Sequence, residues 1–517
     1  MKTYYITTPI YYLNGEPHIG HTYTTVAADF MARYKKARGY DVKFLTGADE
    51  HGQKVELAAK EAGVTPQERV DALDVKFKAL WELMNCNYDY YQRTTNPDHM
   101  EGVKKIFKKL FDQGDIYKGS YEGLYCTPCE SFFTPSKLEG TNCPDCGRPV
   151  KTISEECYFF RMSKYQDALM KHYEDNPDFL LPIARRNEMI NNFIKPGLED
   201  LCVSRTTFTW GVPVDFDPGH VIYVWIDALP NYITALGFLS DNDSDYKKYW
   251  PADLHLMSKE IVRFHAVIWP CILMALGEPV PKQIFSHGWL QFDGQKMGKS
   301  LGNAIDPHFL VEQYGVDAIR YFLLREFTFG LDGNFSQDAL ITRYNADLAN
   351  DLGNLLSRTV GMVDKYFGGT LPNRPNTPTP FCSDLIALAT SMPAKFEEKA
   401  DKLAFSEALN ETWNLVRRAN KYIDETAPWV LAKDEAKQAE LATVLYNLAE
   451  VLRIMAIIIE PAMPNTPAII REQLGVSTLG EGDFFTWESA KQFGLLPREI
   501  TVAKGAAAFP RAEKKAE

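Results

Sequence analysis

"TTPIYYLNGEPHIGHTYTT", residues 7–25, sets two histidines around Ile19 and Gly20, directly behind Pro17. Upstream, "KTYYITTPIYY" has the β-branched and aromatic content of a strand. Downstream, "PHIGHTYTTVAADFMARYKKARG" reads as a helix, with Pro17 expected at its first position and Gly39 past its end. "DVKFLTG" then returns as a second strand. Strand, helix, strand in so short a span is the opening of a parallel α/β sheet. A helix start after a parallel strand offers backbone N–H groups and the positive end of a dipole to an anion. His18 and His21 would add donors there, and Gly20 would let a flat ligand press on the helix. Two capping or buried histidines would leave the same pattern, so this stretch alone does not decide between them.

The 517 residues, 45% hydrophobic, can bury a large core and should divide into several domains. No window resembles a signal peptide, and the longest apolar run, Ala266 to Leu276, is too short for a membrane span and carries Pro270. A cytoplasmic protein with no membrane partner is expected. A net charge of −12 argues against a generally basic nucleic-acid coat, though not against a local basic face such as "KKIFKK" at 104–109. Residues 116–214 interrupt the α/β pattern as an insertion, after which "HVIYVWI" and "PADLHLM" resume strand character. From about Asp338 the period turns helical, as in "LANDLGNLLSRTVGMVDKYF", and implies a bundle in the C-terminal third, ending in a polar tail.

Nine cysteines are too few and too clustered for a disulfide framework. Cys126 and Cys129 in "CTPC" and Cys143 and Cys146 in "CPDC" form two knuckles suited to tetrahedral zinc, and four thiolates close the coordination shell, so one structural ion is expected. Cys86, Cys157, Cys202, Cys271 and Cys382 are expected to be reduced and structural.

In "FDGQKMGKSLGN" a glycine-rich loop carries Lys296 and Lys299. Expelling pyrophosphate from ATP builds negative charge on the β and γ phosphates, which paired ammonium groups can stabilise. "HIGH" and "KMGKS" resemble the two ATP signatures of class I aminoacyl-tRNA synthetases. That family usually has Ser where this chain has Gly298, so the chemistry falls to the two lysines. Along nearly the whole chain, "TTPIYYLNG", "TGADEHGQK", "VIYVWIDALPNYI", "KEIVRFHAVIWP", "NLLSR", "YIDETAPWVLAK" and "FPR" are similar to the methionyl-tRNA synthetase family, in its order and spacing.

The resemblance implies a ligase that activates L-methionine with ATP, carried as its Mg2+ complex, and charges the initiator and elongator methionine tRNAs. It implies a thioether pocket of Ile10, Tyr12, Trp225, Ala228, Leu229, Tyr232, Ile261, His265 and Trp269, with Asp49 pairing the substrate ammonium and Glu260 binding ribose. Sulfur gains from aromatic ring edges, and an unbranched chain fills a narrow apolar slot. Since the attacking carboxylate is already ionised, no general base is required. Asn354, Arg358 and Trp429 would read the anticodon by amide, guanidinium and indole contacts. The implied architecture is a Rossmann-type catalytic domain split into 1–115 and 215–295, a connective insertion with the zinc knuckle at 116–214, a KMGKS and stem-contact region at 296–342, a helical anticodon-binding domain at 343–500 and a tail at 501–517. The chain stops soon after "FPR", so a monomer is expected. Two rivals are an adenylate-forming enzyme that uses no tRNA and a non-catalytic zinc and RNA-binding descendant. The helical third argues against the first, and the intact signatures argue against the second.

Overall fold

The computed structural model describes residues 1–126, 131–133, 142–143, 147–292, 294–296, 305–371, 379–477, 484–497 and 500–513, the side chains at 131–133, 153, 224, 295 and 296 excepted. Six strands form one parallel sheet: β1 (Thr3–Tyr12), β2 (Asp41–Asp49), β3 (Tyr90–Arg93), β4 (Leu180–Leu181), β5 (Leu254–Ser258) and β6 (Ile284–His287), in the spatial order β3-β2-β1-β5-β6-β4. Successive side chains serve opposite faces. Ile6 and Phe44 enter one hydrophobic core, whereas Tyr5 and Leu45 enter the other. Pro9 cannot donate to a ladder, and the β1–β2 register duly shifts between Thr7 and Ile10. Gly47 is required on β2, because a Cβ there would lie 1.9 Å from the Gln92 carbonyl oxygen on β3.

Helix α1 (Ile19–Ala37) begins two residues later than the proline suggested, with His18 as its N-cap rather than Pro17 at its first position. Gly39, at φ 81°, follows its end as expected. Asp29 on α1 and Arg320 on the helix Val316–Glu326 form a 2.6 Å ion pair, both side chains wholly buried. The guanidinium also donates to the Met84, Pro461 and Ala462 carbonyls, so the buried charge is fully partnered.

Two expectations change. "HVIYVWI" is not a strand of the parallel sheet: Val221–Ile222 pairs antiparallel with Ser204–Arg205 in a separate two-stranded ladder, and the chain then turns into the helix Val224–Ala228. The β-branched Val221 and Ile222 supply this short ladder, and Trp225 and Ala228 of the helix line the cavity. Nor is 116–214 a self-contained insertion, since β4 within it pairs with β6 at the edge of the catalytic sheet. The rest of that region is built on the antiparallel pair Ile116–Cys126 and Lys151–Phe160.

The C-terminal third is helical, with Asn354–Phe367, Cys382–Asp401, Phe405–Thr426 and Gln438–Ile458 as its long helices. The stretch Glu435–Ile458 is long and apolar enough to cross a membrane, but its apolar part from Leu441 to Ile458 is wholly buried, as the central helix of a bundle would be. The expected tail docks instead of trailing: Phe509 is buried against Tyr344, and Ala512 exchanges two hydrogen bonds of 2.9 Å with the Asn345 amide.

Candidate active site

A cavity of about 880 Å3 opens at the carboxyl ends of β1, β2, β5 and β6, where the strand order reverses between β1 and β5. It divides into a polar end beside α1 and an apolar end beside the helix Val224–Ala228.

At the polar end the two histidines cap the helix and line the cavity at once. The Gly20 N–H donates to His18 Nδ1 (3.1 Å) and the His18 N–H to His21 Nδ1 (3.1 Å), leaving the rings 4.0 Å apart. Capping is therefore how the rings are aimed, and not an alternative to a role. Gly20 is needed for this cap, since a Cβ there would sit 2.9 Å from His18 Cε1. Tyr11 and Phe77 back the His21 ring, edge-on at 5.7 and 5.2 Å. His287 is a cavity residue the sequence did not single out: its Nδ1–H donates to the Gly288 carbonyl (2.7 Å), so its Nε2 accepts from Thr24 (2.6 Å). Glu260 reaches the cavity rim, where the Trp289 indole N–H donates to its Oε2 (2.6 Å).

The apolar end gathers Ile10, Tyr12, Trp225, Ala228, Leu229, Tyr232, Ile261 and His265, with Asp49 at the end of β2 on the same wall. Trp225 stacks on Phe264 with ring centroids 3.5 Å apart. Burial pushes the His265 ring down to about 4, so it is neutral. Its Nδ1–H donates to the Ile261 carbonyl (2.9 Å), and its Nε2 accepts from the Tyr232 hydroxyl (2.7 Å). Trp269 is the exception: it does not line the cavity but is fully buried behind Tyr232, ring centroids 6.1 Å apart. Between it and His265 the chain is π-helical over Phe264–Ile268.

Behind this wall lies a buried network missed in the sequence. His51 Nδ1 meets Asp227 Oδ2 (2.7 Å), His99 Nε2 meets Asp227 Oδ1 (3.1 Å), and His99 Nδ1 meets the Thr234 hydroxyl (2.8 Å). Burial works to raise the Asp227 carboxyl, but the charge and hydrogen bond of His51, and then those of His99, hold it below the usual range. The network ties the end of β2, which carries Asp49, to the helix that carries Trp225 and Ala228. Asp227 inside the apolar string "VWIDA" was the one available signal, and it does not name its partners.

Lys296 ends the short strand Gln295–Lys296, paired with Leu290–Phe292; its side chain and all of Lys299 lie outside the described residues. So do Cys129 and Cys146. Cys126 and Cys143, one from each knuckle, are buried in one small cluster with Leu124 and Val150 packed on it. The Cys143 carbonyl accepts from the Gly147 N–H (2.8 Å) in a tight turn, so the described half of the knuckle pair fits a tetrahedral thiolate site. In the bundle, Asn354 and Trp429 are exposed, and Arg358 Nη2 meets Asp424 Oδ1 (2.9 Å). That pair ties the helix bearing Asn354 and Arg358 to the one that leads into Trp429. The "KKIFKK" lysines are mostly engaged: Lys104 with Asp215, Lys108 with Asp112, and Lys105 and Lys109 with the Leu239 and Leu276 carbonyls. Lys104, Lys105 and Lys108 thus have carboxylates within ion-pair distance, while Lys109 keeps its charge on a carbonyl.

The chain matches a family model described as tRNA synthetases class I (M) over residues 4–153 and 149–360, and one described as the anticodon binding domain of methionyl tRNA ligase over 376–504. It is 62% identical to the methionine–tRNA ligase of Caldanaerobacter subterraneus subsp. tengcongensis, covering 99% of this chain and 79% of that one. It is 52% identical to that of Bacillus subtilis, covering 100% and 79%. Mycobacterium tuberculosis methionyl-tRNA synthetase in complex with methionyl-adenylate superposes with a TM-score of 0.93 at 43% identity, over 99% of this chain and 100% of that one. Its apo form gives 0.87 at 40%, over 100% and 99%.

Proposed function

This chain belongs to the methionyl-tRNA synthetases of class I, and from that premise we propose which of its residues do the work. Its activity is that of a methionine–tRNA ligase: L-methionine and ATP give methionyl-adenylate and pyrophosphate, and methionine then passes to the 3′-terminal ribose of its tRNA. The observation that supports the residue assignments is the single cavity in which the capped histidines, Asp49 and the aromatic slot meet.

In this proposal the thioether lies against Trp225, Tyr232 and His265, and Asp49 anchors the ammonium. The substrate carboxylate is thereby aimed at the α phosphorus; as the new O–P bond forms, the bond to the bridging oxygen breaks and pyrophosphate leaves with its electron pair. His18 and His21 hold the phosphates, and Lys296 and Lys299 stabilise the charge that builds on the leaving group. ATP is used as its Mg2+ complex. Holding both reactants in one cavity supplies much of the rate, so no base is needed. Methionine-dependent exchange of pyrophosphate into ATP tests this directly. Exchange should occur with methionine but not with leucine, isoleucine or cysteine; equal exchange with leucine would remove the slot assignment.

Asn354, Arg358 and Trp429 are assigned to the anticodon of the initiator and elongator methionine tRNAs. Trp429→Ala should leave exchange near normal and weaken tRNA charging, since a lost stacking platform costs about 1–3 kcal/mol per base. Loss of both activities in a folded variant would end that assignment. Cys126, Cys129, Cys143 and Cys146 are assigned to one structural Zn2+, which would crosslink the two knuckles. Zinc content near zero in carefully prepared protein would contradict it, and Cys143→Ser should lower that content without moving the ATP site. We further infer a cytoplasmic monomer without membrane association, to be checked by sedimentation at micromolar concentration and by fractionation.

A further inference from the structure

We propose that Trp289 is a positioning residue that presents the Glu260 carboxylate to the nucleotide sugar, and so sets the preference for a ribonucleoside over a deoxyribonucleoside triphosphate. This rests on the assignment of Glu260 to ribose. Glu260 is an exposed side chain at the cavity rim with several rotatable bonds, and a carboxylate of that kind loses much of its grip on a diol through disorder. Here the indole N–H donates to Oε2 at 2.6 Å, a charge-assisted contact that fixes the plane of the carboxylate.

The indole is itself held on several sides. Its backbone N–H donates to Asp332 Oδ1 (2.8 Å), and the Lys259 ammonium lies 4.0 Å from the ring centroid while pairing with Asp332 Oδ2 (2.7 Å). Burial works to raise the Asp332 carboxyl, but Lys259 and the Trp289 N–H hold it below the usual range, so it stays an acceptor. The preceding Gly288 presses on the same segment, because a Cβ there would lie 2.2 Å from the Leu331 carbonyl carbon. Lys259 and Glu260 follow β5, Trp289 follows β6, and Asp332 precedes the strand Gly333–Phe335 that pairs with Leu290–Phe292. Three chain segments therefore converge to fix one carboxylate. A site that hydrogen-bonds a hydroxyl disfavours an analogue lacking it, and a carboxylate held in place loses less to disorder in making that bond.

The test is pyrophosphate exchange with ATP, 2′-deoxyATP and 3′-deoxyATP in the full chain and in the variants Trp289→Phe and Glu260→Gln. Phenylalanine keeps a ring for Lys259 and removes the N–H. Trp289→Phe should lower kcat/KM for ATP about tenfold and change the deoxynucleotides little, so that discrimination falls about tenfold. Glu260→Gln should lower it at least as far, and the double variant should be no worse than the glutamine variant alone. A merely structural tryptophan would depress all three nucleotides equally, which would overturn the proposal. Discrimination lost in Glu260→Gln but kept in Trp289→Phe would also overturn it while sparing the ribose assignment. Discrimination kept in Glu260→Gln would remove the ribose assignment itself.

Discussion

The two ends of one cavity are built of different material. At the end proposed for the nucleotide, His18 and His21 owe their aim to backbone groups at the start of a helix, and Glu260 owes its aim to an indole N–H at the rim. At the end proposed for methionine, Tyr232, His265 and Trp269 owe theirs to burial, in a chain of hydrogen bonds and ring contacts. Charge development during reaction requires donors held at fixed points, which a helix start provides within four residues. Recognition of an uncharged thioether requires shape and low polarity, which only packing between distant segments provides. Substitutions at the two ends should therefore fail in different ways.

The largest failure is expected at the helix start. His21→Ala removes a ring that both accepts from the His18 N–H and lines the cavity. Exchange should fall roughly 10²–10³-fold in kcat, the cost of one preorganised donor. Methionine affinity, read by the quench of tryptophan fluorescence on binding, should stay near normal. Gly20→Ala would sharpen the point: its Cβ would displace the His18 ring, so it should cost kcat although it adds only a methyl group. A large loss of methionine affinity in either variant would mean that the two ends are not separable.

The same division explains what could be read before any coordinates. "HIGH" was legible because its geometry is local: four consecutive residues contain both the cap and the rings it aims. The parallel sheet was legible from strand–helix–strand periodicity, and the bundle from its helical period. The helix 224–228 was not legible, because "HVIYVWI" carries strand propensity that a tertiary contact with the cavity wall overrides. Asp227, His51 and His99 come from three separate segments, and no spacing within any of them announces that they meet. Trp269 lies one layer behind the cavity lining, against Tyr232, and spacing within one segment does not tell which layer a residue occupies.

A second expected failure is acid sensitivity of the methionine end. His265 has its titration moved from 6.5 to about 4 by burial, and burial moves His255 in the same direction. A histidine lowered in the folded state resists a proton that the unfolded chain accepts, so stability is whole above pH 6.5 and is lost as pH falls from there toward 4. Each such group contributes about 1.4 kcal/mol per pH unit in that window. His265→Gln keeps an acceptor for Tyr232 and a donor for Ile261 but cannot titrate. Urea unfolding at pH 6.5 and 5 should therefore show the variant losing about 2 kcal/mol less than the parent chain. Equal losses would mean that the imidazole takes a proton inside the fold.

The smallest effect is expected from Tyr232→Phe, and it bears most directly on the contrast between the two ends. The substitution keeps the ring that packs on Trp269 and His255 and removes only the hydroxyl that donates to His265 Nε2. The imidazole is then a buried acceptor without its donor, at a cost of about 1–3 kcal/mol that is shared between stability and the set of the ring. KM for methionine in the exchange reaction should rise about tenfold or less, because the wall against the thioether loosens while its shape survives. KM for ATP and the preference for ATP over 2′-deoxyATP should stay within about twofold, since no hydrogen bond links Tyr232 to α1 or Glu260 among the described residues. A matching rise in both KM values would show that the hydroxyl holds the cavity as a whole, and the two ends would then have to be treated as one structure.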